Sequence, residues 1–337
     1  MTGQFASLQT QEVRGFEEFG EVIVGARRKV IQIQDGKLRG RLAHASLGRL
    51  RIDLANFNLG LRTSGVSGKD GIVLGMLAAS ADRVTRFTYE SQPGDVMVTP
   101  PGTEHENRYY GGASVIVASI LSDDISASFA SEGALSDPAA WQRSHFKGNA
   151  CTAESVIPRL QSLVARLGDA SLNAEAAEFW KRAVIEAMSA SVVEGLSSER
   201  DGPLPSALKI VRQVDEYLDA AEPAPIHISQ ICSHLRLSRR TLHRAFHEAL
   251  GIGPITYLRH RRLCAVHSAL RAPKDIRTIS DIALQHGFQN LGRFACYYRE
   301  LFGEYPSETR AQIHERTTEA LLRERASRLG GTSLEWL

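Results

Sequence analysis

Two stretches near the C-terminus carry one pattern, and this repeat limits what the chain can fold into more than any other feature. The first reads Ile231-Cys232-x3-Arg236-Leu237-Ser238-x3-Leu242-x3-Phe246-x3-Leu250-Gly251-x2-Pro254. The second reads Ile282-Ala283-x3-Gly287-Phe288-Gln289-Asn290-x3-Phe294-x3-Tyr298-x3-Phe302-Gly303-x2-Pro306. The front halves align at an offset of 51 residues and the rear halves at 52, so the second turn holds one extra residue. Each copy has the spacing of a helix-turn-helix. A small residue lets two helices approach, a turn follows, and a polar residue caps a second helix with apolar residues at i, i+4 and i+8.

Burying that stripe leaves the opposite face of each second helix outside. In the first copy this face carries Arg239, Arg240, His243, Arg244 and His247; in the second it carries Leu291, Arg293, Cys296 and Arg299, after Gln289 and Asn290 in the turn. Arg, Gln and Asn early in such a helix are the side chains that pair with base edges in a major groove. Charge agrees with this. Residues 206–311 hold 15 Lys and Arg against 10 Asp and Glu, and seven of the eleven His, whereas residues 1–205 hold 21 against 24. A polyanion partner is therefore expected for the C-terminal part alone. Two units on one domain would enter successive major grooves about one turn (~34 Å) apart. The bland alternative is a solvated cationic face on a helical bundle; two copies in matching register weigh against it. The DNA-contacting candidates are Arg239, Arg240, His243, Arg244, Gln289, Asn290, Arg293 and Arg299.

Residues 207–310 resemble the DNA-binding domain of AraC/XylS-type bacterial transcription regulators. The matching residues are Ser238-x3-Leu242-x-Arg244-x-Phe246, Gly251-x-Gly253-Pro254-x2-Tyr257-Leu258 and Arg262-Leu263 in the first half. In the second they are Ile279-Ser280-Asp281-Ile282-Ala283-x3-Gly287-Phe288 and Phe294-x3-Tyr298-Arg299-x2-Phe302-Gly303-x2-Pro306-Ser307. The resemblance implies seven helices, two helix-turn-helix units and control of promoters, usually by activation, with RNA polymerase and double-stranded promoter DNA as partners. Departures lie mainly in the first copy. Arg236 stands where Gly is usual in the turn, Cys232 where Ala is usual, and Val266 also replaces an Ala. A non-Gly residue at positive φ is uncommon but tolerated. Gly292 lowers helix propensity in the second recognition helix and would permit close approach of its backbone to DNA.

The first 140 residues read as strands. Leu50, Ile52 and Leu54 alternate with Arg49, Arg51 and Asp53, and apolar runs follow at Gly71–Ala79, Asp95–Thr99 and Ala113–Leu121. Gly94-x5-Pro100-x-Gly102-x2-His105 fits the second half of the cupin motif, a strand, a Pro-Gly turn and a His directed back into the barrel. Helical periodicity then appears at Val156, Leu160, Leu163 and Leu167, and again at Ala176, Phe179/Trp180, Ala183/Val184, Ala187/Met188 and Val192. The two stripes suggest a helical hairpin that covers the barrel or meets its counterpart in a homodimer.

The expected fold class is α+β: a cupin-like β-barrel (about 20–140) with a helical hairpin (about 152–196), then an all-α double helix-turn-helix domain. The expected boundaries are 1–197 for the effector and dimerisation domain, 198–206 for a Gly- and Pro-containing linker, 207–310 for the DNA-binding domain and 311–337 for an extension. Effector candidates are Arg62, able to pair with a carboxylate or phosphate if it faces the barrel interior, and His105. A surface or internally paired arginine, and a structural turn histidine, are the favoured alternatives. No metal or cofactor is expected, because the HxH and following Glu of a metal cupin are absent. No catalytic constellation occurs, so an enzyme is not expected. The alternatives kept open are a metal-dependent cupin enzyme fused to a DNA-binding module and a constitutive DNA-binding protein without effector. At 43% hydrophobic and 23% charged residues the 337-residue chain suits two globular domains. It has no 18-residue apolar run, no N-terminal signal pattern, and four widely spaced Cys without a CxxC pair. A cytoplasmic protein acting away from membranes is the expectation.

Overall fold

In the computed structural model the described residues are 6–21, 27–87, 89–129, 141, 145–148, 152–167, 173–195, 206–221, 226–272 and 276–313. They divide into two compact units, one of residues 1–34 and 38–205, the other of 35–37 and 206–337. Expectations for the linker at 198–205, the hairpin turn at 168–172 and the extension from 314 onward fall outside the described residues.

Unit one is built on two antiparallel sheets. The larger joins β1 (Ala6–Val13), β3 (Gly40–Leu47), β4 (Leu50–Phe57), β11 (Ala113–Leu121), β6 (Gly71–Ser80), β9 (Val96–Thr99) and β12 (His145–Phe146), in that spatial order. The smaller joins β2 (Arg27–Gln32), β5 (Leu61–Val66), β10 (Glu104–Tyr109), β7 (Val84–Arg86) and β8 (Tyr89–Ser91). This paired-sheet plan is the cupin-like barrel. Its strands start well before residue 20. β1 pairs with β3 over its whole length, from Ala6 opposite Leu47 to Val13 opposite Gly40. Ser7, Gln9, Thr10 and Gln11 make it a polar edge strand without the apolar alternation of the others.

Alternation along the strands sorts the side chains. On one face of the larger sheet, Leu47, Ile52, Leu74, Met76, Val98 and Ile116 are buried in a core. The short α1 (Ser122–Ser128) adds Ile125 to that core, and α2 (Ile157–Leu167) and α3 (Ala174–Gly195) complete it with Leu160, Val164, Val184, Ile185 and Met188. The hairpin stripes are thus partly used to cover the sheet. What they leave outside is also apolar: Phe179 is 64% exposed and Trp180 38%. Beside them runs an open groove of about 830 Å³ between α2 and α3, floored by Leu163, Ala183 and Ala187 and edged by Arg159, Arg166 and Glu186.

The other face of the larger sheet meets the smaller one. Between them lies a cavity of about 50 Å³, lined by Phe57, Val115 and Tyr109 and by the polar Thr63, Arg86 and Asn107. The β9–β10 turn carries the chain from one sheet to the other. Gly94 (φ 93) and Gly102 (φ 67) take the left-handed backbone that the motif requires. The Ser67 hydroxyl donates to the Pro100 carbonyl at 2.6 Å and accepts from the Thr103 amide at 3.1 Å, which fixes the turn.

Of the placements open to Arg62, the structure has the internally paired one. Leu61 and Thr63 line the cavity, so by alternation Arg62 lies on the other face of β5. There it is 2% exposed, and its Nε donates to Glu106 Oε1 at 2.9 Å from the paired strand β10. It is an internal ion pair. His105 is buried on β10 and is not one of the cavity-lining residues. Replacing one partner of a buried pair leaves charge without its counter-ion, which costs about 3–5 kcal/mol. Glu106→Gln is accordingly expected to destabilise this unit by roughly 3 kcal/mol, measured as a shift in denaturant unfolding followed by far-ultraviolet circular dichroism at strand wavelengths. An unshifted transition would show that the pair contributes nothing.

Candidate nucleic-acid interface

Unit two holds α4 (Ser206–Ala220), α5 (Ile228–His234), α6 (Arg239–Leu250), α7 (Pro254–Arg271), α8 (Ile279–Gln285), α9 (Leu291–Phe302) and α10 (306–313). These are the seven helices that the resemblance implies, among the described residues. α5 and α6 form one helix-turn-helix; α8 and α9 form the other.

The repeat in sequence is a repeat in hydrogen bonds. α5 begins with a capping box between His227 and Gln230, α8 with one between Thr278 and Asp281, at the 51-residue offset. In the turns, the Leu237 amide donates to the Cys232 carbonyl at 2.9 Å, and the Phe288 amide to Ala283 at 3.0 Å. Arg236 at φ 53 and Gly287 at φ 81 take the same left-handed corner. Each recognition helix is then capped by a side chain. Ser238 Oγ accepts from the Thr241 amide at 3.0 Å, and Asn290 Oδ1 from the Arg293 amide at 2.9 Å. Both end on a left-handed glycine, Gly251 or Gly303, whose amide donates back to His247 or Arg299.

The buried faces fall where the i, i+4, i+8 stripes place them. Leu242, Phe246 and Leu250 have no exposed area, and Phe294, Tyr298 and Phe302 are also buried. In the second unit a chain of hydrogen bonds reinforces the apolar contact. Tyr298 donates to Thr309 Oγ1 at 2.9 Å, Thr309 donates to Glu304 at 2.7 Å, and His267 Nδ1 lies 2.7 Å from the Tyr298 hydroxyl. With that hydroxyl spent as a donor, His267 is the donor to it. Burial and the neighbouring Arg271 push the His267 pKa down to about 3, and burial and Arg259 push His260 to about 4. Both are neutral core imidazoles and add no charge to the basic face.

Of the candidate contacts, Arg239, Arg240, Arg244, Gln289, Asn290, Arg293 and Arg299 are exposed and His243 is half-buried. Asn290 spends its carbonyl oxygen as the helix cap, leaving its amide to meet a base. The Arg299 guanidinium donates to the Tyr305 hydroxyl at 2.8 Å and lies over its ring, so it is held at the last turn of α9. Arg261, which basic charge alone would assign to phosphate, instead bridges Asp215 at 2.9 Å and Asp219, tying α7 to α4. Two arginines of α7 brace the second helix-turn-helix by contacts that no sequence pattern marks. Arg259 lies 4.2 Å from the Tyr297 ring centre and Arg262 5.0 Å from that of Phe288. An aromatic stands in each partner helix or turn, but no spacing rule links residues so far apart in sequence.

The described residues include no group of three His, Cys, Asp or Glu placed to hold a metal, and no helix long and apolar enough to cross a membrane.

Comparison with known proteins adds to this geometry. Residues 231–312 match the family model described as a helix-turn-helix domain. The chain is 37% identical over 98 residues to the XylDLEGF operon transcriptional activator 2 of Pseudomonas putida, covering 29% of this chain and 62% of that protein. It is 36% identical over 96 residues to the HTH-type transcriptional activator RhaR of Pectobacterium carotovorum, covering 28% of this chain and 33% of that one. The match thus spans less than two thirds of the length of these curated relatives. Among solved structures, a "probable AraC family transcriptional regulator" from Rhodopseudomonas palustris is 37% identical, with 31% of this chain and 97% of that chain covered and a TM-score of 0.30.

The left-handed corner tests the equivalence of the two turns. An L-residue there costs about 1–2 kcal/mol that glycine does not incur. Arg236→Gly is expected to stabilise the first unit by roughly 1 kcal/mol after the entropy of the unfolded glycine is subtracted. Hydrogen exchange of the α5 and α6 amides measures it; faster exchange in the variant would contradict the shared turn.

Proposed function

We propose that this chain is an effector-responsive, sequence-specific transcription regulator that activates promoters, a reading supported by the helix-turn-helix family match over residues 231–312 and the 37% identity of this part to an operon transcriptional activator. The observation that carries the reading is the matched geometry of the two units. Both end their turns in the same corner, cap the next helix with a side chain, and turn exposed polar and basic groups outward from one basic domain. On this reading Arg239, Arg240, His243, Arg244, Gln289, Asn290, Arg293 and Arg299 face DNA, and exposed cations such as Lys209 and Arg236 neutralise phosphates, so affinity falls steeply with salt.

The remaining parts take these roles. A small-molecule effector enters between the two sheets of unit one, where Arg86, Asn107 and Thr63 supply polar contacts. A cavity of about 50 Å³ holds a few waters and is far below the roughly 300 Å³ or more of a small-molecule site, so the effector stabilises a form in which the sheets stand further apart. Arg62 and His105 then support that site without touching the ligand. A second copy of the chain covers the apolar groove of the hairpin. The basic edge of α2, Arg159 and Arg166, suits Glu186 of α3 on a two-fold related copy. RNA polymerase is the further partner of an activator, and the protein works in the cytoplasm.

The test is selection of genomic fragments by the full-length protein, with Arg240→Ala, Arg293→Ala and Arg261→Ala variants alongside. The wild type is expected to enrich a site of two segments about one helical turn apart. Arg240→Ala loses discrimination in one segment and Arg293→Ala in the other, each by about 1–3 kcal/mol. Arg261→Ala keeps the preference and loses folding stability instead, because its partners are Asp215 and Asp219. Unchanged preference in both recognition-helix variants would contradict the assignment. For the hairpin, Phe179→Glu together with Trp180→Glu is expected to convert dimer to monomer in sedimentation analysis. An unaltered dimer would move the interface elsewhere.

A further inference from the structure

The two recognition helices are alike in framework and unlike in the surface they offer. At the 52-residue offset, Arg239 and Arg240 of α6 correspond to Leu291 and Gly292 of α9, all four exposed. Leu291 is 39% exposed. It is the first residue of α9, directly after the Asn290 cap and two before Arg293. Among the described residues no close contact calls for the glycine. A Cβ built on Gly292 would meet only Asn290 Oδ1, at an ordinary 3.6 Å, and Gly292 does not have the positive φ that demands glycine. Glycine costs up to about 1 kcal/mol relative to alanine in a helix interior and less in the first turn, and an alanine would find room here. An exposed leucine and a glycine that no close contact requires therefore stand together on the face that the preceding reading turns toward bases.

We propose that Leu291 and Gly292 form an apolar reading surface for the 5-methyl group of a thymine. The missing side chain at 292 lets the backbone of α9 come close to the groove floor, and Leu291 packs on the methyl, the one apolar feature that base pairs present in the major groove. The corresponding Arg239 and Arg240 of α6 suit the acceptor pair of a guanine. The two segments of the DNA site consequently differ, one calling for thymine where the other calls for guanine, and the domain binds in a single orientation. This inference rests on the DNA-binding reading.

The experiment begins with the site selected by the full-length protein. Each thymine in turn is replaced by uracil, which keeps every hydrogen-bonding group and lacks only the methyl. Affinities of wild type, Leu291→Ala and Gly292→Ala are then measured by fluorescence anisotropy. At one thymine of the segment read by α9, the replacement is expected to weaken the wild type about fourfold, the value of one methyl-sized apolar contact. It leaves Leu291→Ala unchanged. Gly292→Ala is expected to bind more weakly while raising the resistance of α9 to hydrogen exchange, a pairing that a purely structural glycine would not give. Specific binding by the wild type with no uracil-sensitive position overturns the inference and leaves the DNA-binding reading intact. Equal uracil sensitivity in wild type and Leu291→Ala, or full affinity in Gly292→Ala, overturns it as well. Absence of any sequence-specific binding would overturn both.

Discussion

The burial of three side chains on one face of each recognition helix is the constraint from which the C-terminal domain follows. Leu242, Phe246 and Leu250, or Phe294, Tyr298 and Phe302, lie at i, i+4 and i+8, so burying them fixes the rotation of the helix about its axis. The remaining side chains then have one direction left. Each buried aromatic or leucine contributes about 1.5–3 kcal/mol, far more than any exposed arginine gains by pointing elsewhere. The outward face can therefore vary between the two units, as Arg239 and Leu291 do, while the framework stays the same. In the second unit the hydrogen-bonded run from His267 through Tyr298 and Thr309 to Glu304 adds direction to a packing force that has none.

Rotation alone does not set where along its axis a helix begins. That is decided by the turn, where a left-handed corner at Arg236 or Gly287 and a side-chain cap at Ser238 or Asn290 stop one helix and start the next. The extra residue of the second turn is accommodated between corner and cap, which is why the two copies agree at an offset of 51 before it and 52 after it. The cap also withdraws Asn290's oxygen from base recognition, so a residue that looks like a reader by type is partly a structural element by position. Arg261 is a second such case. Its charge suits phosphate, but two aspartates of α4 hold it.

The legibility of the chain followed the range of the interactions involved. The C-terminal helices, their turns and caps, and the identity of the buried stripes could be read from sequence because each depends on residues fewer than ten apart. Arg236 was visible as a residue in a glycine's position, and it adopts φ 53. Unit one was less legible. Alternation revealed β4, β6 and β11, but β1 is a polar edge strand that shows its role only when set against β3. Arg62 illustrates the same limit. The face it takes depends on the register between β5 and β10, which brings Glu106 within 2.9 Å, and a shift of one residue would have turned it inward. The braces from Arg259 and Arg262 onto Tyr297 and Phe288 are pairings between distant segments and left no local mark.

The central claim is that two outward faces of one domain meet DNA together. Footprinting of the full-length protein on a selected fragment tests it most directly, with reagents that attack bases in the major groove. The account predicts two protected segments on one face of the duplex, centred about one helical turn (~34 Å) apart, with the loss of one in Arg240→Ala and of the other in Arg293→Ala. A single protected segment that either variant abolishes completely would contradict it, because the two helices could not then be separate readers.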